Sequence, residues 1–316
     1  MSPPKTAEKY SSATRMHATE AMGKPRPAAK GKVTVLGYRL FWESFGAPDR
    51  GTVLCLHGGP GVPHGYLTCL ADLASFGYRI VFYDQLGVGA SERPRGTSFF
   101  TIERGVEEVE GVRRALGLGR IHLLGNSYGG MLALAYAIKY QRNLRGLVVA
   151  SGLSSVPVAN LELRRLVRTL PIPVQRTIDR LERREAFDDS AYARAAMAFY
   201  RRHICRLRTW PRELTRSLRD VSVPVYRTMW GPSEFAVQGS LRYWDITDQL
   251  PAIKVPTLIT GGKYDEIPPR IARTIHRGIR GSKLAIFPNS SHLPMWEERE
   301  RYMQVVGEFL RRQDGR

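Results

Sequence analysis

Three residues of this chain could assemble an activated nucleophile: Ser127, His292 and Asp265. Ser127 lies in Gly125-Asn126-Ser127-Tyr128-Gly129, which fits the pattern G-x-S-x-G. That pattern marks a sharp strand-to-helix turn holding its serine in a strained backbone conformation. A serine hydroxyl is a weak nucleophile and needs a base within hydrogen-bond reach. Histidine suits the task because its pKa lies near the operating pH. A carboxylate on the other ring nitrogen fixes the tautomer and stabilises the imidazolium. The chemistry so assembled is acyl transfer, with an ester intermediate that water resolves, so no metal or cofactor is required. The alternative is an idle serine in a glycine-rich turn, because the pattern is short.

The oxyanion of such a reaction needs two backbone donors. One is expected from the residue after the nucleophile, Tyr128. The other is expected from His57-Gly-Gly-Pro-Gly61, where the backbone is bare enough to approach substrate; Gly59 is the chosen donor. Gly125 and Gly129 are required because a Cβ at either place would collide with the neighbouring strand or helix.

Other titratable residues fit these roles less well. His57 precedes the glycine loop and reads as a structural hydrogen-bonder, whereas His64 is a loop residue that could contact substrate. His17 is in the N-terminal tail, His122 begins a strand at the wrong end, His203 is in the helical insertion and His276 is mid-helix. Asp84 ends a strand and could be a displaced acid, but His292 follows Asp265 by one helix and one strand.

These residues need a scaffold. Ile121 to Leu124 form a short apolar strand, and Met131 to about Tyr140 a helix. Lys32 to Phe45 read as a hairpin turning at Gly37. Thr52–Leu56, Tyr78–Tyr83, Leu144–Ala150, Pro256–Thr260 and Lys283–Phe287 read as further strands. Ile102 to Leu116 are an amphipathic helix with Val106, Val109 and Val112 inward. Ile271–Ile279 and Glu297–Arg312 are helices. Strands alternating with helices imply a mostly parallel sheet with helices on both faces. The rhythm stops near Ser151, and helical periodicities with breaks at Pro171, Pro173, Pro211 and Pro224 take over. The expected organisation is a disordered basic tail over 1–31, a first core segment over 32–152, an inserted helical cap over 153–245 and a second core segment over 246–316. Ligands of an open parallel sheet sit beyond the C-terminal strand ends, where the loops carrying Gly59, Ser127, Asp265 and His292 all fall.

Bulk properties narrow the class. With 316 residues, 43% hydrophobic, the chain can bury a large core. No apolar run reaches the roughly 18 residues of a membrane helix, and the N-terminus lacks a secretory apolar segment, so no membrane partner is expected. Cys55, Cys69 and Cys205 match no metal-site spacing, and their odd count fits a reducing compartment such as the cytoplasm. The formal net charge is +19. Fifteen arginines fall between residues 160 and 220, interleaved with Leu, Ala and Glu as on outer helix faces. No nucleic-acid-binding signature accompanies them, so no nucleic acid partner is expected.

The chain resembles the proline iminopeptidase family of α/β-hydrolases, and within it the tricorn-interacting aminopeptidase branch. The resemblance is carried by His57 to Gly61, Phe82-Tyr-Asp-Gln85 with Gly87 and Gly89-Ala-Ser91, Gly125 to Gly130, Gly231-Pro-Ser-Glu-Phe235, Tyr243-Trp-Asp245, Pro256-Thr-Leu-Ile259, Tyr264-Asp-Glu266 and Ser291-His292. The glycine loop and elbow specify only the superfamily; Gly-Pro-Ser-Glu-Phe together with Tyr-Asp-Glu is more specific. The resemblance implies an α/β-hydrolase fold and a serine exopeptidase releasing an N-terminal residue, often proline. It also implies that Glu234 and Glu266 hold the free α-amine of the substrate, which agrees with the need of a buried ammonium for counter-charge. Short peptides or amino acid amides with a free amine are the expected partners. An amino acid amidase or aryl-amidase, and a carboxylesterase, are the alternatives on the same triad. The basic tail is not part of the family pattern, and Leu161 to Trp210 match no motif, which leaves the preferred N-terminal residue open.

Overall fold

The computed structural model describes residues 26–314. Eight strands form one sheet: β1 (Ala29–Val35), β2 (Tyr38–Phe45), β3 (Gly51–Leu56), β4 (Tyr78–Tyr83), β5 (Ile121–Asn126), β6 (Leu144–Ala150), β7 (Thr257–Gly262) and β8 (Lys283–Phe287). Their order is β1-β2-β4-β3-β5-β6-β7-β8. The β1–β2 and β2–β4 pairs are antiparallel; every other pair is parallel. β3, β5 and β7 are buried almost throughout. Continuous apolar runs are what a strand covered on both faces requires. The two-residue period splits each strand between two cores: Leu54 and Leu56 join one, Val53 and Cys55 the other.

The first core holds α1 (Ile102–Ala115) and α2 (Tyr128–Tyr140) against the sheet. Val106, Val109 and Val112 face inward as expected, and the Thr101 side chain caps α1 by accepting from the Arg104 amide. The opposite face is covered by a 3₁₀-helical segment, His64–Phe76, and by the C-terminal helix. That segment was not anticipated, because Pro60, Gly61, Pro63 and Gly65 make its start read as loop.

Between β6 and β7 lie α3 (Val156–Val167), α4 (Ile172–Glu182), α5 (Ser190–His203), α6 (Arg212–Arg219) and α7 (Val223–Met229). The prolines read as breaks mark helix starts. Pro171 and Pro211 precede α4 and α6, while Pro173 and Pro224 sit in first turns. The fixed φ and missing N–H of proline are harmless there. After β7 come α8 (Pro269–Gly278), α9 (Pro294–Glu297) and α10 (Arg299–Asp314). The single closing helix expected from Glu297 is instead broken at Glu298, whose ψ of 52° is not helical.

β1 begins at Ala29, so residues 29–31 of the expected tail are strand, paired with Trp42 to Ser44 of β2. Residues 1–25 of that tail lie outside the described residues. Among the described residues, no helix is long and apolar enough to cross a membrane.

Candidate active site

Ser127 stands between β5 and α2 with φ 58° and ψ −123°. A non-glycine residue at such angles costs on the order of 1–3 kcal/mol and is held by its surroundings. The surroundings are two glycines. A Cβ on Gly125 would lie 2.0 Å from the Gly129 carbonyl oxygen, and one on Gly129 would lie 2.2 Å from the Leu56 carbonyl oxygen. The tight crossing of β5, α2 and β3 therefore fixes the strained turn.

The glycine loop follows β3. Gly59 has φ 112°, which favours glycine, and a Cβ there would meet the Gly61 and Val62 nitrogens at 2.7 Å. The Gly58 amide donates to the Tyr66 hydroxyl at 2.8 Å, which in turn donates to Asn126 Oδ1 at 2.7 Å. This chain ties the loop to the residue before Ser127. Tyr66 had not been singled out in the sequence, since an isolated tyrosine carries no motif. Gly59 and Ser127 face one cavity of about 880 Å³, and Tyr128 opens α2, whose N-terminal amides point toward the serine.

His292 follows β8, and Asp265 follows β7. Asp265 Oδ1 lies 2.7 Å from His292 Nδ1. The same oxygen accepts from the Ile267 amide at 2.9 Å, which orients the carboxylate. Both residues are buried. The loop of His292 is braced by Glu297, which accepts from the Ser291 amide and hydroxyl. His203, at the end of α5, contributes its carbonyl oxygen to the amides of both Glu266 and His292, at 3.2 and 3.1 Å. The end of α5 is thus pinned to the two loops that carry Asp265 and His292. Nothing in the sequence marks this backbone contact.

Ser127 and His292 line the same cavity, but no hydrogen bond between their side chains occurs among the described residues. His292 Nε2 instead has Glu266 Oε1 at 3.5 Å. Catalytic contacts that are loose without substrate commonly tighten in the Michaelis complex.

Glu234 and Glu266 also line this cavity. The Tyr226 hydroxyl donates to Glu234 Oε2 at 3.0 Å, and Glu266 Oε2 has no partner although it is buried. Burial raises the pKa of both carboxyls; for Glu266 the nearby charges of Glu234 and Asp265 raise it further. Two carboxyls sharing a desolvated site with an unsatisfied oxygen form an acceptor for a cation.

The remaining histidines fall elsewhere. His57 is fully buried and accepts from the Gln85 amide at 3.0 Å; burial lowers its pKa to about 4, so it is a neutral structural acceptor. His64 does not line that cavity. It lies between Asp84 and Glu43, at 2.7 and 3.0 Å. Burial opposes its charge, but hydrogen bonds to those carboxylates raise its pKa to about 9. Asp84 is therefore committed to His64. His122 meets Asp314 at the far end of β5, and His276 meets Ser282.

A family model described as the alpha/beta hydrolase fold matches residues 51–299. A proline iminopeptidase of Saccharolobus solfataricus is 44% identical over 284 residues, which cover 89% of this chain and 92% of that protein. The crystal structure of VinJ superposes with a TM-score of 0.88 at 37% identity, covering 91% of this chain and 100% of the other. The crystal structure of a Mycobacterium smegmatis proline iminopeptidase superposes with a TM-score of 0.84 at 31% identity, covering 90% and 99%. Identity of this extent, across core and cap alike, shows that the chain belongs to the proline iminopeptidase family of α/β-hydrolases.

Proposed function

We propose that this protein is a serine aminopeptidase of the prolyl type, releasing the N-terminal residue of short peptides through an acyl-enzyme. The observation that carries this reading is a pair of carboxyls, buried Glu266 and partly buried Glu234, sharing one cavity with the Ser127 hydroxyl and His292, which is paired with Asp265. An N-terminal prolinium has two N–H bonds and one positive charge, and two carboxyls match both.

Ser127 Oγ attacks the carbonyl carbon of the N-terminal residue while His292 Nε2 takes its proton. Asp265 keeps Nδ1 protonated and steadies the imidazolium. The amides of Gly59 and Tyr128 donate to the oxyanion, each contributing on the order of 3 kcal/mol to transition-state binding. His292 then protonates the leaving amine as the C–N bond breaks. Water, deprotonated by His292, attacks the ester; the acid departs and Ser127 regains its proton. Glu234 and Glu266 hold the ammonium throughout. At about 880 Å³ the cavity is large enough for a short peptide.

The test compares a prolyl peptide with its N-acetylated form. Turnover confined to the free amine supports the reading; equal rates on both defeat it and favour an esterase-like enzyme in which the glutamates play no part.

A further inference from the structure

The substrate cavity is electrically polarised. At its buried end, beside His292, stand Glu234 and Glu266. Three helices between β6 and β7 also line it, each with a partly buried apolar or aromatic residue followed by an exposed arginine on the solvent side. In α5 these are Tyr200 and Arg201, in α6 Leu218 and Arg219, in α7 Tyr226 and Arg227. Arg208, also exposed, joins them from the loop after α5.

Two of these arginines are engaged by acids. Arg219 meets Asp220 at 2.9 Å, and Arg227 meets Asp188 at 3.1 Å. Arg201 is held differently: its guanidinium lies 5.4 Å from the centre of the Trp210 ring and donates to the Arg208 carbonyl at 3.4 Å. Arg201 and Arg208 are therefore adjacent, and among the described residues Arg201 is braced by an aromatic face with no acid paired to it.

A peptide of two or three residues is itself a dipole, with an ammonium and a carboxylate roughly 7–10 Å apart when extended. Its polarity matches that of the cavity only when the ammonium enters first. We propose that Arg201 and Arg208 read a carboxylate on the leaving-group side of the scissile bond, which makes short peptides with an anionic leaving portion the favoured substrate class. This rests on the aminopeptidase reading above. Arginine suits the role because its planar donor fork matches a carboxylate. The carboxylate has two sources, the free C-terminus of a very short peptide or an acidic side chain just after the bond.

The experiment measures kcat/KM for prolyl-glycyl-glycine, for its C-terminal amide, and for the C-terminal amide of prolyl-glutamyl-glycine. At low salt, the wild-type enzyme is expected to prefer one or both carboxylate substrates over the neutral amide by about tenfold, chiefly through KM, with the preference shrinking as salt rises. A preference for the free acid alone assigns the C-terminus; a preference shared by the glutamyl amide assigns any carboxylate in reach. Arg201→Gln with Arg208→Gln should bring the ratio to about one, and Arg208→Glu should turn it toward the neutral amide. Because each ratio is taken within one enzyme preparation, a loss of folded protein cancels. Equal kcat/KM for all three substrates in the wild-type enzyme overturns this inference alone. An undiminished ratio in the double glutamine variant overturns the assignment to these two arginines. Absence of turnover on all three overturns the aminopeptidase reading and this inference with it.

Discussion

Glu266 Oε1 lies 3.5 Å from His292 Nε2, the ring nitrogen opposite the one bound by Asp265. Neighbouring residues of one loop thus present carboxylates to the two edges of a single imidazole. Asp265 is fixed by the Ile267 amide and the histidine, whereas Glu266 has one buried oxygen without a partner. The first arrangement fixes the imidazole; the second leaves a buried carboxylate oxygen unsatisfied.

Glu266→Gln keeps the shape and removes the charge. It should lower kcat/KM on free-amine substrates by on the order of a hundredfold, the cost of losing one partner of a buried charge pair. Esters of N-acylated amino acids should lose far less. Parallel kinetics on the two substrate types checks this, and an equal loss on both would show that Glu266 acts on His292 rather than on the amine.

Acidification should weaken amine capture earlier than ordinary carboxyls would. Burial raises the pKa of Glu234 and Glu266, so as pH falls the pair takes up a proton above the usual carboxylate range. A neutralised pair attracts ammonium less. KM for a free-amine substrate should therefore rise on that acid limb, and the limb should be missing for a substrate without an amine. Steady-state pH profiles of the two substrates decide it.

Ser127→Ala should reduce kcat by about 10⁴–10⁶-fold, as removal of a triad nucleophile does. Ser127→Gly should be equally inactive yet more stable than Ser127→Ala by about 1 kcal/mol, since glycine relieves the strain at φ 58°. Thermal melts of the two variants, which differ only in that Cβ, make the comparison.

Glu108 is buried behind the elbow, accepting from the Leu86 amide at 3.3 Å. Burial raises its pKa from 4.5 to about 7. Between those values the folded state binds more protons than the unfolded state, so stability falls as pH rises, by up to about 3 kcal/mol. Glu108→Gln should flatten this dependence and raise the melting temperature at pH above 7, with little gain near pH 5. Melts across that range test it; a variant less stable at every pH would refute the sign.

Gly129→Ala should disrupt the elbow, because its Cβ would lie 2.2 Å from a backbone oxygen of β3, which has no side chain to move aside. A loss of at least about 3 kcal/mol is expected, together with activity. Denaturant unfolding against the parent measures it.

The parallel strands were legible in the sequence because most are short apolar runs bounded by turn residues, as in Thr52–Leu56 and Leu144–Ala150. The elbow was legible because its two glycines are demanded by backbone approaches that no other residue permits. Ser127, Asp265 and His292 could be nominated because each falls at the end of a recognisable strand. Local spacing could not decide where side chains separated by many residues would turn. His64 read as a loop histidine open to substrate, yet folding places it between Asp84 and Glu43, residues 20 and 21 positions away. The carbonyl of His203 reaches both Glu266 and His292 only because the cap folds back over the sheet. The polarity of the cavity, acidic within and cationic at its rim, likewise exists in no single segment. Periodicity and glycine sterics act over a few residues and are written in the chain, whereas charge partners are chosen by packing among elements far apart, which only the tertiary structure decides.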